Sequence, residues 1–173
     1  FAKYLAYPTH LLHRIPDTLG FVEAAVTEPT ANVVYAVLER GGLRPVDTVA
    51  VIGPGPIGLL ASMAAKAGGA FAVIVIGTEW DEPLRLPTAR KLPAIDRVVN
   101  LSKEDPEAAV MEMTGGRGAD LVVEASGAAP GIALAFKLVR KLGRIAAIGL
   151  TGREKIEFPY DAGMTKSIDF VFN

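Results

Sequence analysis

The chain has 173 residues, half of them hydrophobic, and its 18 Lys and Arg residues nearly balance 19 Asp and Glu residues, for a net charge of −1. This composition excludes a disordered or collagen-like chain and argues against a basic nucleic-acid-binding domain. Because the chain has no cysteine, it cannot form a disulfide or a thiolate zinc site. No apolar run is long enough to cross a membrane, and the first residues lack a signal-peptide pattern. We expect a soluble, cytoplasmic domain with no nucleic-acid or membrane partner.

The first helix is predicted before the first strand in the chain. From Glu23 to Leu38 the apolar positions fall mostly at helical spacing. Pro29 fits the first turn of a helix that runs to about Arg40, because its missing N–H costs nothing there. Gly41-Gly42 is expected to end that helix.

Six short apolar runs, rich in β-branched residues, predict six strands at residues 48–52, 72–76, 97–100, 119–124, 144–148 and 168–172. Helices are predicted at residues 57–67, 103–113 and 132–141, the last with a basic end at Arg140 and Lys141 that suits a helix C-terminus. A short helix from about Leu86 is expected after the second strand, because three prolines crowd that segment. Apolar strands that alternate with helices predict a doubly wound α/β fold, a six-stranded parallel sheet with helices on both faces.

The glycine-rich segment Gly53-Pro54-Gly55-Pro56-Ile57-Gly58 follows the first strand and opens a helix. In this setting the first glycine permits the tight turn, and the second lets the backbone approach a pyrophosphate. The third allows close packing of helix on strand, and the helix N-terminus offers unpaired N–H groups to the anion. The triplet alone is weak evidence, but its position between strand and helix predicts a dinucleotide site.

The end of the second predicted strand bears on the choice between NAD and NADP. An NAD site usually has an acidic residue there, which accepts the ribose 2′-hydroxyl. Gly77 occupies that position, so the carboxylate that would repel a 2′-phosphate is missing. Thr78 can donate to either group, Glu79 can take the acidic role two residues late, and Arg85 and Arg90 can reach a phosphate. The balance favours NADP over NAD.

Two further strand ends are expected to line the same crevice, because ligands bind at the carboxyl ends of the strands near the reversal of strand order. They are Glu124-Ala125-Ser126-Gly127 at the end of the fourth strand and Ile148-Gly149-Leu150 after the fifth. Each contains a glycine that lets the backbone approach a ligand, so we predict that both segments contact the cofactor.

Together these segments resemble the Rossmann-type cofactor domain of the medium-chain dehydrogenase/reductase family, in particular its zinc-dependent branch of sorbitol, threonine and related alcohol dehydrogenases. The order and spacing of the motifs carry the resemblance, which extends through nearly the whole chain. The matching segments are residues 1–4, 15–17, 23–25, 28–29, 41–45, 53–58, 64–67, 97–100, 119–127 and 143–149. The chain departs from the family pattern at Gly77, where an aspartate is usual, which leaves the cofactor preference open.

The resemblance implies the nucleotide-binding domain of an NAD(P)-dependent, zinc-assisted alcohol or polyol dehydrogenase, which transfers hydride between an alcohol and nicotinamide. In that family a preceding domain supplies the catalytic zinc ligands. The glutamate of the Glu-Pro pair approaches the zinc directly or through water, which makes Glu28 the one candidate metal contact in this chain. The family's final strand pairs across a homodimer, and residues 168–172 are apolar enough to do so.

The chain begins at Phe1, in a segment that resembles a strand already under way, and stops in the apolar run 169–173. We therefore expect a fragment, inactive alone, in which residues 1–25 are a lead-in from the missing catalytic domain and residues 26–173 bind the dinucleotide. The alternatives are a zinc-free, NADPH-dependent enone or quinone reductase of the same family and a stand-alone NAD(P)-binding module without catalysis.

Overall fold

A computed structural model describes residues 2–173. Phe1, where a strand was expected to be already under way, lies outside the described residues. Six strands form one sheet: β1 Thr48–Ile52, β2 Ala72–Gly77, β3 Arg97–Asn100, β4 Ala119–Glu124, β5 Val139–Ala147 and β6 Asp169–Phe172. Each strand pairs in parallel with its neighbours, in the order β3-β2-β1-β4-β5-β6. The predicted doubly wound parallel sheet is confirmed, and the strand order reverses between β1 and β4.

Seven α-helices connect or precede these strands: α1 Phe21–Ala24, α2 Thr27–Val34, α3 Pro56–Ala67, α4 Arg85–Lys91, α5 Pro106–Thr114, α6 Ala129–Leu138 and α7 Tyr160–Lys166 in the described part of the chain. A π-helical segment, Tyr35–Arg40, continues α2, and short 3₁₀ turns lie at Thr9–Leu11 and Glu79–Asp81. The α3–α6 helices follow β1–β4 in turn, as expected for βαβ units.

Side chains of the central strands point alternately to the two faces of the sheet and form two cores. On one face, residues such as Val49 and Val73 pack with Ala61 and Ala65 of α3. On the other face, residues such as Ile74 pack with helix residues that include Val110 of α5 and Ile132 of α6. Because β1, β2 and β4 are buried along their whole length, their sequences are almost continuously apolar.

The predicted helix 132–141 is wrong at its C-terminal end. Helix α6 ends at Leu138, and Arg140 and Lys141 belong to β5, which begins at Val139. Arg140 donates from Nε to the Asp120 carboxylate on the neighbouring strand at 2.6 Å, a contact that a helical continuation could not make. The two basic residues therefore do not complement a helix terminus.

Two other helix boundaries differ from the prediction. The single helix expected up to Arg40 is divided into α1, α2 and the π-helical segment, in which the Gly41 N–H donates to the Ala36 carbonyl five residues earlier at 2.8 Å. Helix α5 starts at Pro106 rather than Lys103, because the Asp105 side chain accepts from the Glu107 N–H at 3.0 Å and caps it.

Residues 2–20 contain one 3₁₀ turn and no strand, so the expectation of a strand under way at the N-terminus fails for the part of the lead-in that the structure describes. Their apolar side chains are exposed, for example Tyr4 at 84% and Leu5 at 75%. Among residues 2–173 no helix combines the length and the apolar character that a membrane span requires.

Candidate dinucleotide site

The carboxyl ends of β1, β2 and β4 border a cleft of about 460 Å³. It lies where the strand order reverses, which is the usual position of a ligand in a doubly wound sheet. The residues that line it include Gly53–Ile57, Gly77, Thr78, Asp81, Arg85, Ala125 and Ser126. The structure therefore brings together most of the site residues that were predicted from the first, second and fourth strand ends.

The glycine-rich loop is closed tightly on itself. Gly53 has a φ of +100°, which L side chains rarely adopt, and its N–H donates to the Ile76 carbonyl on β2 at 2.9 Å. A Cβ atom on Gly58 would lie 1.9 Å from the Gly53 carbonyl oxygen. Glycine at position 58 thus lets the first turn of α3 press against the end of β1.

Gly55 faces open space instead. A Cβ atom on this residue would meet no heavy atom within 4 Å, although Gly55 lines the cleft. It caps α3, whose first internal bond runs from the Leu59 N–H to the Gly55 carbonyl at 2.9 Å. The N–H groups of Ile57 and Gly58 precede that bond and have no partner inside the helix. Open space, unpaired N–H groups and the positive end of α3 fit the pyrophosphate of a dinucleotide.

The acidic group at the end of β2 comes from Asp81, which the sequence analysis did not single out. The 3₁₀ turn after β2 carries this carboxylate back, so that Oδ2 accepts from the Thr78 N–H at 2.9 Å and from the Thr78 hydroxyl at 3.0 Å. Oδ1 accepts from Arg85 at 3.1 Å. Burial raises the pKa of Asp81, but the Thr78 and Arg85 hydrogen bonds outweigh it and hold the pKa below its ordinary value.

Gly77 leaves room for that carboxylate. A Cβ atom on Gly77 would lie 3.1 Å from Asp81 Oδ2 and 2.8 Å from side-chain carbons of both Pro54 and Leu86. Glu79 is exposed and does not line the cleft, because the 3₁₀ turn directs the residue two positions later into it. A Thr-x-x-Asp capping pattern is the signal in the sequence that identifies Asp81.

The two arginines that were expected to reach a phosphate differ in position. Arg85 lines the cleft, and its side chain is 57% exposed beside Asp81. Arg90 instead pairs with Glu82 at 3.0 Å, outside the cleft lining. The hydrogen bond from Arg90, together with one from Asn100, lowers the pKa of Glu82 to about 2. Arg85 is therefore the one of the two that faces a cleft ligand.

The segment after β5 lies beside the cleft rather than in its lining. Ile148-Gly149-Leu150 borders a second, largely apolar pocket of about 310 Å³ with Phe158, Phe170 and Phe172. The backbone of Gly127 contacts this segment, since a Cβ atom on Gly127 would lie 2.3 Å from the Leu150 carbonyl oxygen. The predicted cofactor segments after β4 and β5 thus touch each other but face two adjacent pockets.

Glu28 lies in the first turn of α2, exposed to solvent, and its Oε1 accepts from the Asn32 side chain at 2.6 Å. No cluster of three or more His, Cys, Asp or Glu side chains within residues 2–173 could hold a metal ion. The described residues alone therefore do not fit a complete zinc site.

In comparisons with known proteins, this chain matches dehydrogenases. The family model described as zinc-binding dehydrogenase matches residues 56–171. D-arabitol-phosphate dehydrogenase of Enterococcus avium is 36% identical over 170 residues, which cover 98% of this chain and 47% of that protein. Sorbitol dehydrogenase of Halalkalibacterium halodurans is 37% identical over 171 residues, covering 99% of this chain and 49% of that protein. The chain thus spans about half the length of these curated relatives.

Solved structures agree with the sequence relatives. Alcohol dehydrogenase TADH from Thermus sp. ATN1 superposes with a TM-score of 0.83 at 35% identity, over 93% of this chain and 45% of that one. The 2R,3R-butanediol dehydrogenase from Bacillus subtilis gives a TM-score of 0.81 at 31% identity, over 95% of this chain and 46% of that one. The fold described above is therefore similar to about half of each of these longer chains.

Proposed function

Because this chain belongs to the zinc-binding dehydrogenase family, we propose that it is the nicotinamide-cofactor domain of an NAD(P)-dependent alcohol or polyol dehydrogenase. Its relatives include a sorbitol dehydrogenase and an arabitol-phosphate dehydrogenase, which supports a small alcohol or polyol as the substrate. The bound cofactor supplies the hydride chemistry. This chain holds the pyrophosphate at the N-terminus of α3 and fixes the ribose of the adenosine half at the end of β2.

The observation that carries the proposal is the open space in front of Gly55. The glycine adopts an extended conformation, with φ −70° and ψ 177°, that any residue can adopt. No neighbouring atom would clash with a side chain at this position. Packing of the described residues therefore does not explain why residue 55 is glycine. Close approach of a ligand's pyrophosphate to the backbone does explain it.

Gly55→Val tests this proposal. The wild-type chain is expected to bind NADH or NADPH, with a rise in melting temperature because the ligand binds the folded state. The valine side chain would occupy the pyrophosphate position, so the variant should lose at least tenfold in affinity. Its melting temperature without ligand should fall by only a few degrees, because valine is a poorer N-cap than glycine. Ligand fluorescence and thermal melting measure the two quantities.

Gly20→Val is the matched control, because Gly20 also caps a helix in an extended conformation, φ −74° and ψ 163°, but does not line the cleft. It should bind cofactor as the wild type does. Failure of the wild-type chain to bind either cofactor at millimolar concentration, or full affinity in Gly55→Val, would contradict the proposal.

The choice between NAD and NADP depends on the pair at the end of β2. We infer that Asp81 and Arg85 let both cofactors bind: the carboxylate can accept from a ribose 2′-hydroxyl, and the guanidinium can pair with a 2′-phosphate. Arg85 is more than half exposed, so it can reorient towards a phosphate. This arrangement keeps the NADP preference expected from Gly77 but makes it weaker than a cleft without a carboxylate would give.

Arg85→Gln is expected to weaken NADPH binding about tenfold and to change NADH binding by less than twofold, because only NADPH carries the phosphate that the guanidinium pairs with. Arg90→Gln is the matched control on the same helix, and it should leave both affinities unchanged because Arg90 pairs with Glu82 outside the cleft lining. Equal losses for the two cofactors in Arg85→Gln would show that Arg85 does not discriminate between them.

We propose that zinc acts in the longer protein, with Glu28 approaching it directly or through water and the other ligands supplied by residues outside this chain. The family match supports this reading over a zinc-free enone or quinone reductase. Metal analysis of the longer protein distinguishes the two.

We further propose that β6 pairs with a second copy in a homodimer. Among the described strands, β6 lies at the sheet edge with β5 as its neighbour, and Phe172 on it is 70% exposed. An apolar edge strand of this kind readily adds another strand. Sedimentation of the chain at high concentration measures the association, and a strict monomer contradicts it.

A further inference from the structure

Glu124, the last residue of β4, is fully buried. Its carboxylate accepts from the Ser126 N–H at 2.9 Å, from the Ser126 hydroxyl, and from the Gly127 N–H at 3.2 Å. No basic side chain within residues 2–173 forms an ion pair with it. Since a buried carboxylate without a cation is costly, these local donors must hold it in one position, and the carboxylate in turn fixes the segment after β4.

The backbone of the same residue holds the segment after β5. The Glu124 carbonyl oxygen accepts from the Ile148 N–H at 2.8 Å and from the Gly149 N–H at 3.0 Å. A Cβ atom on Gly149 would lie 2.8 Å from Glu124 Oε2 and 2.2 Å from the Gly127 nitrogen. Glu124 is therefore the point at which the two segments are joined, with its carboxylate packed between them.

Glu124 also determines what the cleft can offer to a ligand. It consumes the N–H groups of Ser126 and Gly127, so these donors are not free for a phosphate. A Cβ atom on Gly131, in the first turn of α6, would lie 3.0 Å from Glu124 Oε1. The positive end of α6 is thus already beside a carboxylate, whereas the corresponding end of α3 is open. The open end of α3 therefore suits a pyrophosphate better than the end of α6 does, which leaves the β4 side of the cleft for the remaining half of a dinucleotide.

We propose that Glu124 is a positioning residue for the nicotinamide half of the cofactor. This proposal rests on the function proposed above, in which the end of β2 takes the adenosine half. Glu124 itself does not line the cleft. It holds in place Ala125 and Ser126, which do line it.

Glu124→Gln tests the proposal with two probes, NADH and ADP, because ADP has the adenosine and phosphate groups but no nicotinamide. The Gly127 N–H donates at 3.2 Å to both carboxylate oxygens of Glu124. The glutamine keeps the size of the side chain and the Oε1 acceptor but replaces Oε2 with an NH₂ group, which cannot accept from that N–H. Loss of a charged buried hydrogen bond should weaken NADH binding about tenfold. ADP binding should change by less than twofold.

Ser126→Ala is the second variant, since it removes one donor to the carboxylate and leaves the buried charge in place. It should shift NADH affinity in the same direction by a smaller factor, about threefold, again without affecting ADP. Should Glu124→Gln fail to fold, as judged by thermal melting, this variant decides the question.

Equal weakening of NADH and ADP in the variants would indicate general loss of structure and overturn the positioning role. Unchanged NADH affinity in both folded variants would also overturn it. If the wild-type chain bound neither NADH nor NADPH, the proposed function itself would fail, and that result is separate from the comparison of variants.

Discussion

Gly58→Ala is expected to lower the free energy of unfolding by about 3 kcal/mol, although it adds a single methyl group. The added Cβ atom would lie 1.9 Å from the Gly53 carbonyl oxygen and 3.3 Å from a methyl carbon of Val51. A backbone oxygen cannot rotate away as a flexible side chain can, so the first turn of α3 must move off the end of β1. Equilibrium urea unfolding measures the loss, and the melting temperature should fall by about 6–12 °C for a chain of this length.

Gly55→Val in the same loop is the matched comparison for stability. Its larger side chain enters open space, so its unfolding free energy should fall much less than that of Gly58→Ala. Both variants should lose cofactor affinity, one because the loop moves and the other because the pyrophosphate position is filled. A wild-type melting temperature for Gly58→Ala would contradict the close contact between α3 and the end of β1.

The strands were predictable because burial on both faces leaves a direct trace in the sequence. Each of β1, β2 and β4 is buried at every position, so each appears as an almost continuous apolar run. The position of the phosphate loop follows in the same way, since the spacing of three glycines between a strand and a helix reflects local backbone geometry. Features of this kind depend on residues that are close together in the chain.

The end of α6 could not be predicted, because it depends on residues that are far apart in the chain. A basic residue does cap this helix, but it is Lys166, whose Nζ donates to the carbonyl oxygens of Phe136 at 2.7 Å and Val139 at 2.8 Å. Burial at this position lowers the pKa of Lys166. The nearby Arg140 was expected in this role, yet its partner is Asp120 on β4. Choosing between the two cations requires the tertiary arrangement.

The acidic residue of the cofactor cleft shows a similar limit. Counting from the strand end indicated Gly77 and then Glu79, whereas the 3₁₀ turn brings Asp81 to the side of Gly77. A short helical turn changes which residue faces the cleft by two positions. The role of Glu124 could not be predicted either, because a charged residue at a strand end normally suggests solvent, and its burial depends on the segments after both β4 and β5.

At the ends of the strands opposite the cleft, a buried ion pair joins the start of β1 to β5. Arg144 donates to Asp47 Oδ2 at 2.5 Å and to the Gly42 carbonyl oxygen, and Asp47 Oδ2 also accepts from the Arg44 N–H at 2.8 Å. Both side chains of the pair are about nine-tenths buried. Removal of one partner leaves the other charge without its counterion in a place that water cannot easily reach.

Asp120 extends this network, since it accepts from the Thr48 N–H at 2.8 Å and from Arg140 at 2.6 Å. Burial raises the pKa of Asp120, but these two hydrogen bonds outweigh it, and the pKa lies below its ordinary value. Three strands, β1, β4 and β5, are thus linked by ionic groups at their amino ends. These groups do not line the cleft, so we expect them to act on the stability of the fold.

Arg144→Met is therefore expected to cost about 3–5 kcal/mol of unfolding free energy, because it leaves the buried Asp47 carboxylate without its counterion. Asp47→Leu should lower the unfolding free energy by a similar amount, because it leaves the buried Arg144 without its counterion. In Asp47→Leu/Arg144→Met no unpaired charge remains, so the loss should be well below the sum of the single losses. Equilibrium urea unfolding of the four proteins gives the coupling energy.

Arg14→Met serves as the control, since the Arg14–Asp17 ion pair has side chains that are 85% and 88% exposed, and exposed pairs contribute little to stability. It should unfold as the wild type does. Additive losses in the double variant would mean that Asp47 and Arg144 stabilise the fold independently, which contradicts a buried pair. None of these four variants alters a residue that lines the cleft, so cofactor affinity in the folded protein should stay at the wild-type value. Unchanged affinity would show that the groups at the amino ends of the strands stabilise the fold, whereas the carboxyl ends bind the ligand.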